Sequence, residues 1–204
     1  MTLSKPTMNR GDRISSFRRV TRETSITGSL DLDGDGRKGI VRTGIGMLDH
    51  MLDALSTHAR IRLDLEATGD LVVDDHHVVE DCAIAIGRLL GDALGDRSGI
   101  DRFGWAMVPL DEALTRVSVD LVARPSASID LDLRRPVIGT LASENAVHFL
   151  ETMALTAPFT LHVKVLEGRN DHHRLESAFK SMALALRAAI RPSDAESSTK
   201  GTLL

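Results

Sequence analysis

The stretch DDHHVVED at 74–81 returns as NDHHRLES at 170–177. His76, His77 and Glu80 correspond to His172, His173 and Glu176, each pair 96 residues apart, in a chain with only 8 His. On a helix, the first His and the Glu are four residues apart, so they lie one above the other and can share an ion. The second His is turned about 100° away by the 3.6-residue period, toward a different ion or across an interface. Each motif therefore suggests ligands for two sites. His50 in GMLDHML and His148 in NAVHFLE stand 26 and 24 residues upstream of the two HH pairs and complete the donor set. The resulting reading is two pseudo-equivalent sites: His50, His77, His172 and Glu176; and His148, His173, His76 and Glu80. A lone His is more often a packing or surface residue. Two matching HHxxE units with two matching upstream His weigh against that bland reading. Imidazole with carboxylate suits Mn, Fe, Co, Ni or Zn. Three His and one Glu complete a structural tetrahedral zinc, whereas a six-coordinate metal keeps two positions open for chemistry, and ligand type does not choose between them.

Composition narrows the class. At 204 residues, with 42% hydrophobic and 26% charged residues, the chain is globular and long enough to bury a sizeable core. It holds no run of 18 or more apolar residues suited to a membrane. The start MTLSKPTMNRGDR shows no apolar stretch of a secretory signal. Cys82 is the single cysteine, which excludes an internal disulfide and fits a reducing compartment, so the expected location is cytoplasmic. A net charge of −4 gives no reason to expect nucleic acid. Arg10, Arg13, Arg18, Arg19 and Arg22 read as a solvated face or a salt-bridging strand, with phosphate binding the minor alternative.

Four helices and several strands must position the ligands. SFRRVTRETSITGSLDLDG is extended by its β-branched residues and polar alternation, with DGDG at 33–36 as the turn between paired strands and Glu23 in the first strand. Met47, Leu48, Met51, Leu52 and Leu55 recur at helical spacing, placing His50 and His58 roughly on one face. Ile61, Leu63 and Leu65 alternate as a strand with one wet face. The first HH helix then runs to Gly95. The second half has strands expected at 116–122 and 126–133, a helix bearing His148, and a strand with Leu161, Val163 and Val165 alternating, in which His162 reads as structural or paired. The second HH helix runs over 172–190 and is stopped by Pro192. The tail SDAESSTKGTLL is disordered by composition. The order per half is two strands, His-helix, strand, HH-helix. The fold class is therefore α+β and internally duplicated: two similar halves, each a β-sheet with two helices on one face, packed together. One domain over 1–204 contains repeats at 13–97 and 98–192 and a tail at 193–204.

Taken together, GIGMLDHML, EATGDLVVDDHHVVEDCAIAIG, RFGWAMVPLDEAL, DLVARP, HVKVLEGRNDHHRLESAFKSMALALR and STKG resemble the imidazoleglycerol-phosphate dehydratase family, from roughly Arg19 to Gly201. The resemblance implies a cytoplasmic hydro-lyase of histidine biosynthesis with two Mn(2+) per active site. Its phosphorylated imidazole substrate is dehydrated to the 2-oxopropyl phosphate through a dimanganese-bound imidazolate. It also implies a homo-oligomer of twenty-four subunits with sites at subunit interfaces, and no nucleic-acid or membrane partner. Carried over by position, the metal ligands are His50, His76, His77, Glu80, His148, His172, His173 and Glu176. The catalytic set is Glu23, His50, His77, Glu80, His173 and Glu176. Substrate contacts fall on Glu23, His50, His58, His76, His77, Glu80, Arg102, Arg124, His172, Ser198, Thr199 and Lys200, the last three making the tail a segment that closes on ligand. GIGM, RFGW and DLVARP stand where the family commonly has GIPF, RFGD and DLSGRP.

The chemistry explains the donor set. The proton to be removed has no neighbouring carbonyl to acidify it, whereas a ring held between two cations loses its N–H proton readily. The ring can then expel hydroxide, which makes the adjacent C–H acidic. Glu23 is the expected acid/base, and Arg102 and Arg124 are forked phosphate donors with Lys200 as a point charge. The alternatives are a dinuclear metal phosphoesterase of DHH type, and a metal-dependent assembly or storage shell without catalysis.

Overall fold

Alternating apolar residues shape the strands that lead into both motifs. In the computed structural model, which describes residues 13–34, 37–194 and 202–203, Leu63, Leu65 and Ala67 are buried in β4 (Arg62–Gly69), as are Leu161, Val163 and Val165 in β10 (Thr160–Glu167). That period of two sets one face of each strand on the core. The first half also contains β1 (Ile14–Val20), β2 (Thr24–Asp31), β3 (Val41–Arg42), α1 (Gly46–Ala59) and α2 (His76–Leu94). Its sheet order is β1-β2-β4-β3, with β3 parallel to β4. The second half runs β5 (Phe103–Leu110), β6 (Ala113–Asp120), β7 (Ser126–Asp130), a small hairpin β8 (Val137–Ile138) and β9 (Leu141–Ala142), α3 (Ser143–Thr156), β10 and α4 (Asp171–Ala189). Its main sheet is ordered β5-β6-β10-β7, with β7 parallel to β10. In both halves the parallel pair is joined through the His-bearing helix, the crossover that parallel strands require.

The expected duplicated α+β fold is present, and the helices tie the halves together. α1 and α2 rest on the first sheet and α3 and α4 on the second, while α1 packs against α4 and α2 against α3. Each HH helix thus pairs with the upstream His-helix of the other half. Gly87 permits the α2–α3 approach, because a Cβ there would sit 2.7 Å from the Thr156 Cβ. One apolar core spans both halves, with Met51, Leu52 and Val79 beside Phe149, Leu175 and Phe179.

Several local expectations need correction. The β1–β2 hairpin turns at 21–23, so Glu23 stands in the turn and not in the first strand. The Thr21 hydroxyl accepts from the Glu23 and Thr24 N–H groups, at 3.1 and 2.9 Å, and fixes that turn. Asp33 and Gly34 instead lead away from β2, and 35–36 lie outside the described residues. The second half has a strand at Phe103–Leu110 that the pattern FGWAMVPL concealed, because both its faces carry apolar residues; the other two end at Asp120 and Asp130. Each four-stranded sheet therefore holds three strands ahead of its His-helix. His162 is exposed and has no polar partner among the described residues. In the tail, Leu203 is buried and its carbonyl accepts from the Ala123 N–H at 2.7 Å, against a disordered reading for that residue.

Candidate metal centre

The local structure around each motif explains how its side chains are aimed. At the start of α2, Asp74 accepts from the His76 N–H at 2.8 Å. Asp75 accepts from the Ala142 N–H at 2.7 Å and from the Asn145 amide at 2.8 Å, which pins the start of α2 to the start of α3. Asn145 also faces His76 Nδ1 at 3.0 Å. At the start of α4, Asn170 caps the helix by accepting from the His172 N–H at 2.9 Å. α1 starts within the GIGM stretch, at Gly46, just after Gly44 takes a φ of +79°, and Asp49 accepts from both the backbone N–H and the hydroxyl of Thr43, each at 2.7 Å.

Two clusters result. His50 from α1 meets His172 and Glu176 from α4, and His148 from α3 meets His76 and Glu80 from α2; within each, the ligand atoms lie within 4.8 Å of one another. His50 Nε2 and His172 Nε2 stand 3.3 and 3.2 Å from Glu176 Oε2. His148 Nε2 is 3.2 Å from Glu80 Oε1, and its ring stacks on His76 with centroids 5.1 Å apart. Two imidazoles and a carboxylate converging on one point fit a divalent ion of the Mn to Zn series. Burial opposes ionisation of Glu176, but Lys180 at 2.8 Å and His50 outweigh it and hold the carboxyl below its ordinary range. Lys180 escaped the sequence reading, although its i,i+4 spacing from Glu176 signals the pair.

The fourth member expected in each set is elsewhere. His77 turns to Asp70, with Nδ1 3.0 Å from Oδ2, and His173 turns to Glu112, with Nδ1 2.8 Å from Oε2. Their Nε2 atoms lie 4.0 Å from Glu23 Oε2 and 3.7 Å from Asp111 Oδ2. The hydrogen bond that His77 donates to Asp70 raises the His77 pKa, and the one that His173 donates to Glu112 raises the His173 pKa. Glu112 itself is held down at about 2, first by His173 and then by backbone N–H groups. Neither carboxylate announces itself in the sequence: Asp70 lies seven residues before its His and Glu112 sixty-one.

The remaining candidates are scattered. Glu23 is exposed at the hairpin tip, which is tied to α2 by the Thr24 hydroxyl and Arg19, both on Asp81. His58 is exposed two turns beyond His50, about 12 Å along α1. Arg102 makes a forked pair with Asp120 at 2.7 and 3.0 Å, and Arg124 reaches the same carboxylate at 3.9 Å. These arginines stand at the far end of α4 from its cluster, since the Arg102 N–H donates to Ala189. Ser198, Thr199, Lys200 and Arg10 lie outside the described residues. Arg13 pairs with Asp33, in keeping with a salt-bridging strand. Among the described residues no helix is long and apolar enough to cross a membrane.

The comparisons with known proteins agree with one another. The family model described as imidazoleglycerol-phosphate dehydratase matches residues 43–186. An imidazoleglycerol-phosphate dehydratase of Phytophthora nicotianae is 53% identical over 99% of this chain, which spans 46% of that longer protein. One from Candida glabrata is 49% identical over 91% of this chain and 98% of its own length. The crystal structure of the Staphylococcus aureus enzyme of that name superimposes with a TM-score of 0.80 at 33% identity, covering 88% of this chain and 99% of its own. The DHH-type phosphoesterase alternative finds no support in these matches.

Proposed function

The chain belongs to the imidazoleglycerol-phosphate dehydratase family and is by that membership a lyase of histidine biosynthesis; we propose that its active sites are shared between copies of the chain and hold two Mn(2+) each. The reaction is dehydration of D-erythro-1-(imidazol-4-yl)glycerol 3-phosphate to 3-(imidazol-4-yl)-2-oxopropyl phosphate. The observation that carries the shared site is the length of α4. Glu176 lies in one cluster near its start and Ala189, where Arg102 docks, ends it. Thirteen residues at 1.5 Å each separate them by about 20 Å. A three-carbon phosphate cannot reach from ring-binding ligands to phosphate-binding arginines of the same chain across that span.

Each copy therefore supplies parts to more than one site. The His50–His172–Glu176 and His76–Glu80–His148 clusters would each hold one cation, completed by His77 or His173 of a neighbouring copy. Bound there, two divalent cations supply Lewis-acid stabilisation of negative charge on the ring nitrogens of the substrate. Glu23 accompanies His77 into the site and moves protons on the substrate's side chain. Arg102 and Arg124, with Ser198, Thr199 and Lys200, take the phosphate, whose charge competes with Asp120 for the two guanidinium groups. The family resemblance supports a shell of twenty-four copies, and a lone buried thiol at Cys82 accords with a cytoplasmic enzyme.

Ketone formation from imidazoleglycerol phosphate by metal-depleted protein, with and without added Mn, tests the reading. Turnover restored by Mn supports it; release of inorganic phosphate without ketone overturns it. Glu23→Gln should keep metal and substrate binding while losing about 10²–10⁴ in turnover, and a near-normal kcat would remove Glu23 from this role.

A further inference from the structure

We propose that Asp70 and Glu112 are positioning residues that fix the tautomer of His77 and His173, so that each ring presents a bare Nε2 outward from its own chain. The inference rests on the reading above that these two His are metal ligands. A neutral imidazole carries its proton on one nitrogen and can ligate only through the other. An ionised carboxylate only accepts, so the nitrogen facing it must be the N–H. Asp70 offers His77 Nδ1 both oxygens, at 3.2 and 3.0 Å. Glu112 divides its two: Oε2 faces His173 Nδ1 at 2.8 Å, and Oε1 accepts from the Arg169 and Asn170 N–H groups at 3.0 and 2.8 Å.

The origins of the two carboxylates make the case stronger than one contact would. Duplication alone would place the same residue at the same point in both halves. Instead Asp70 comes from the loop between β4 and α2, where the second half has Gly168, Arg169 and Asn170. Glu112 comes from the β5–β6 turn, and the corresponding β1–β2 turn sends Glu23 toward Nε2 of His77, not toward Nδ1. Two unrelated backbone positions thus deliver the same group to the same ring atom. His76 follows the same rule by a third route. Asn145 donates its amide to Asp75, which leaves the side-chain oxygen facing His76 Nδ1.

The geometry gives the two carboxylates different responses to amide substitution. In Glu112→Gln the carbonyl oxygen stays on the two loop N–H groups, and the amide NH₂ then faces His173 Nδ1 and selects the wrong tautomer. In Asp70→Asn the amide can rotate its oxygen to His77, because the Asp70 carboxylate has no second polar partner among the described residues. The experiment is Mn titration of the assembled protein against a chelator, with metal per chain from mass spectrometry and unfolding temperature in parallel. Glu112→Gln should weaken half of the Mn sites by about 10- to 100-fold with little change in unfolding temperature. Asp70→Asn should retain most of the Mn affinity that Asp70→Ala loses. In ¹⁵N spectra of the metal-free protein at alkaline pH, where the ring is neutral, His173 should carry its proton on Nδ1, and on Nε2 in Glu112→Gln. Wild-type Mn affinity in Glu112→Gln, or equal losses in Asp70→Asn and Asp70→Ala, would overturn the proposal. His173→Ala separates the two readings. Metal loss there with none in Glu112→Gln rejects only the positioning role, whereas full metal in His173→Ala rejects the ligand itself and the proposal with it.

Discussion

Mixing two inactive variants tests the shared site most directly. His50→Ala removes one donor of the α1–α4 cluster, and Arg102→Ala removes a forked donor at the other end of α4. Each charge-assisted hydrogen bond contributes about 1.5–3 kcal/mol, so losing the Arg102 fork should raise KM by a hundredfold or more. The two lesions lie about 20 Å apart on one chain by the helical rise, and they disable different copies' contributions to a site. When equal amounts are dissociated, mixed and reassembled, a site is intact if its cluster comes from the Arg102→Ala copy and its arginine from the His50→Ala copy. With random assortment into a symmetric oligomer, about one quarter of the sites meet that condition. Ketone formation per chain, measured before and after co-assembly verified by size, should rise from near zero to about that fraction of the wild type. A mixture no more active than the mean of its two components would refute the argument and place ring and phosphate on one chain.

The other predictions are independent of that test. His148→Ala and Glu80→Ala should each remove about half of the bound metal, and His50→Ala with His148→Ala nearly all of it, as counted by mass spectrometry; unchanged stoichiometry would exclude the clusters. The raised His173 favours the fold below its ordinary value of 6.5, an advantage lost as pH rises through its higher folded value, and the lowered Glu112 favours it above 4.5, lost as pH falls toward about 2. Metal-free wild type should therefore exceed Glu112→Ala in unfolding temperature most between pH 4.5 and 6.5, with the gap narrowing on either side. Gly104→Ala should cost about 1–3 kcal/mol or more in urea unfolding, because a Cβ on β5 would overlap the Ala185 carbonyl of α4; normal stability would mean the sheet and helix can part there.

The sequence by itself determined the repeated HHxxE units, the four helices that carry the His residues and three members of each cluster. These follow from local rules: a residue four positions on shares a helical face, and the upstream His recur at matching intervals. GIGM and DLVARP, despite departing from the commoner pattern, leave α1 starting at Gly46 and Arg124 beside Asp120. Only the tertiary structure decided which helix meets which, with α1 on α4 and α2 on α3, because a helical period is silent about the partner across the core. It turned His77 and His173 away from their own clusters and onto Asp70 and Glu112, contacts set by loops whose path no periodicity encodes. It moved Glu23 from a strand into a hairpin tip, where the Thr21 hydroxyl holds the bend by accepting from the Glu23 and Thr24 N–H groups. And it set Arg102 and Arg124 a helix length from the His50–His172–Glu176 cluster, a distance that exists only once α4 has packed along β5 and β6.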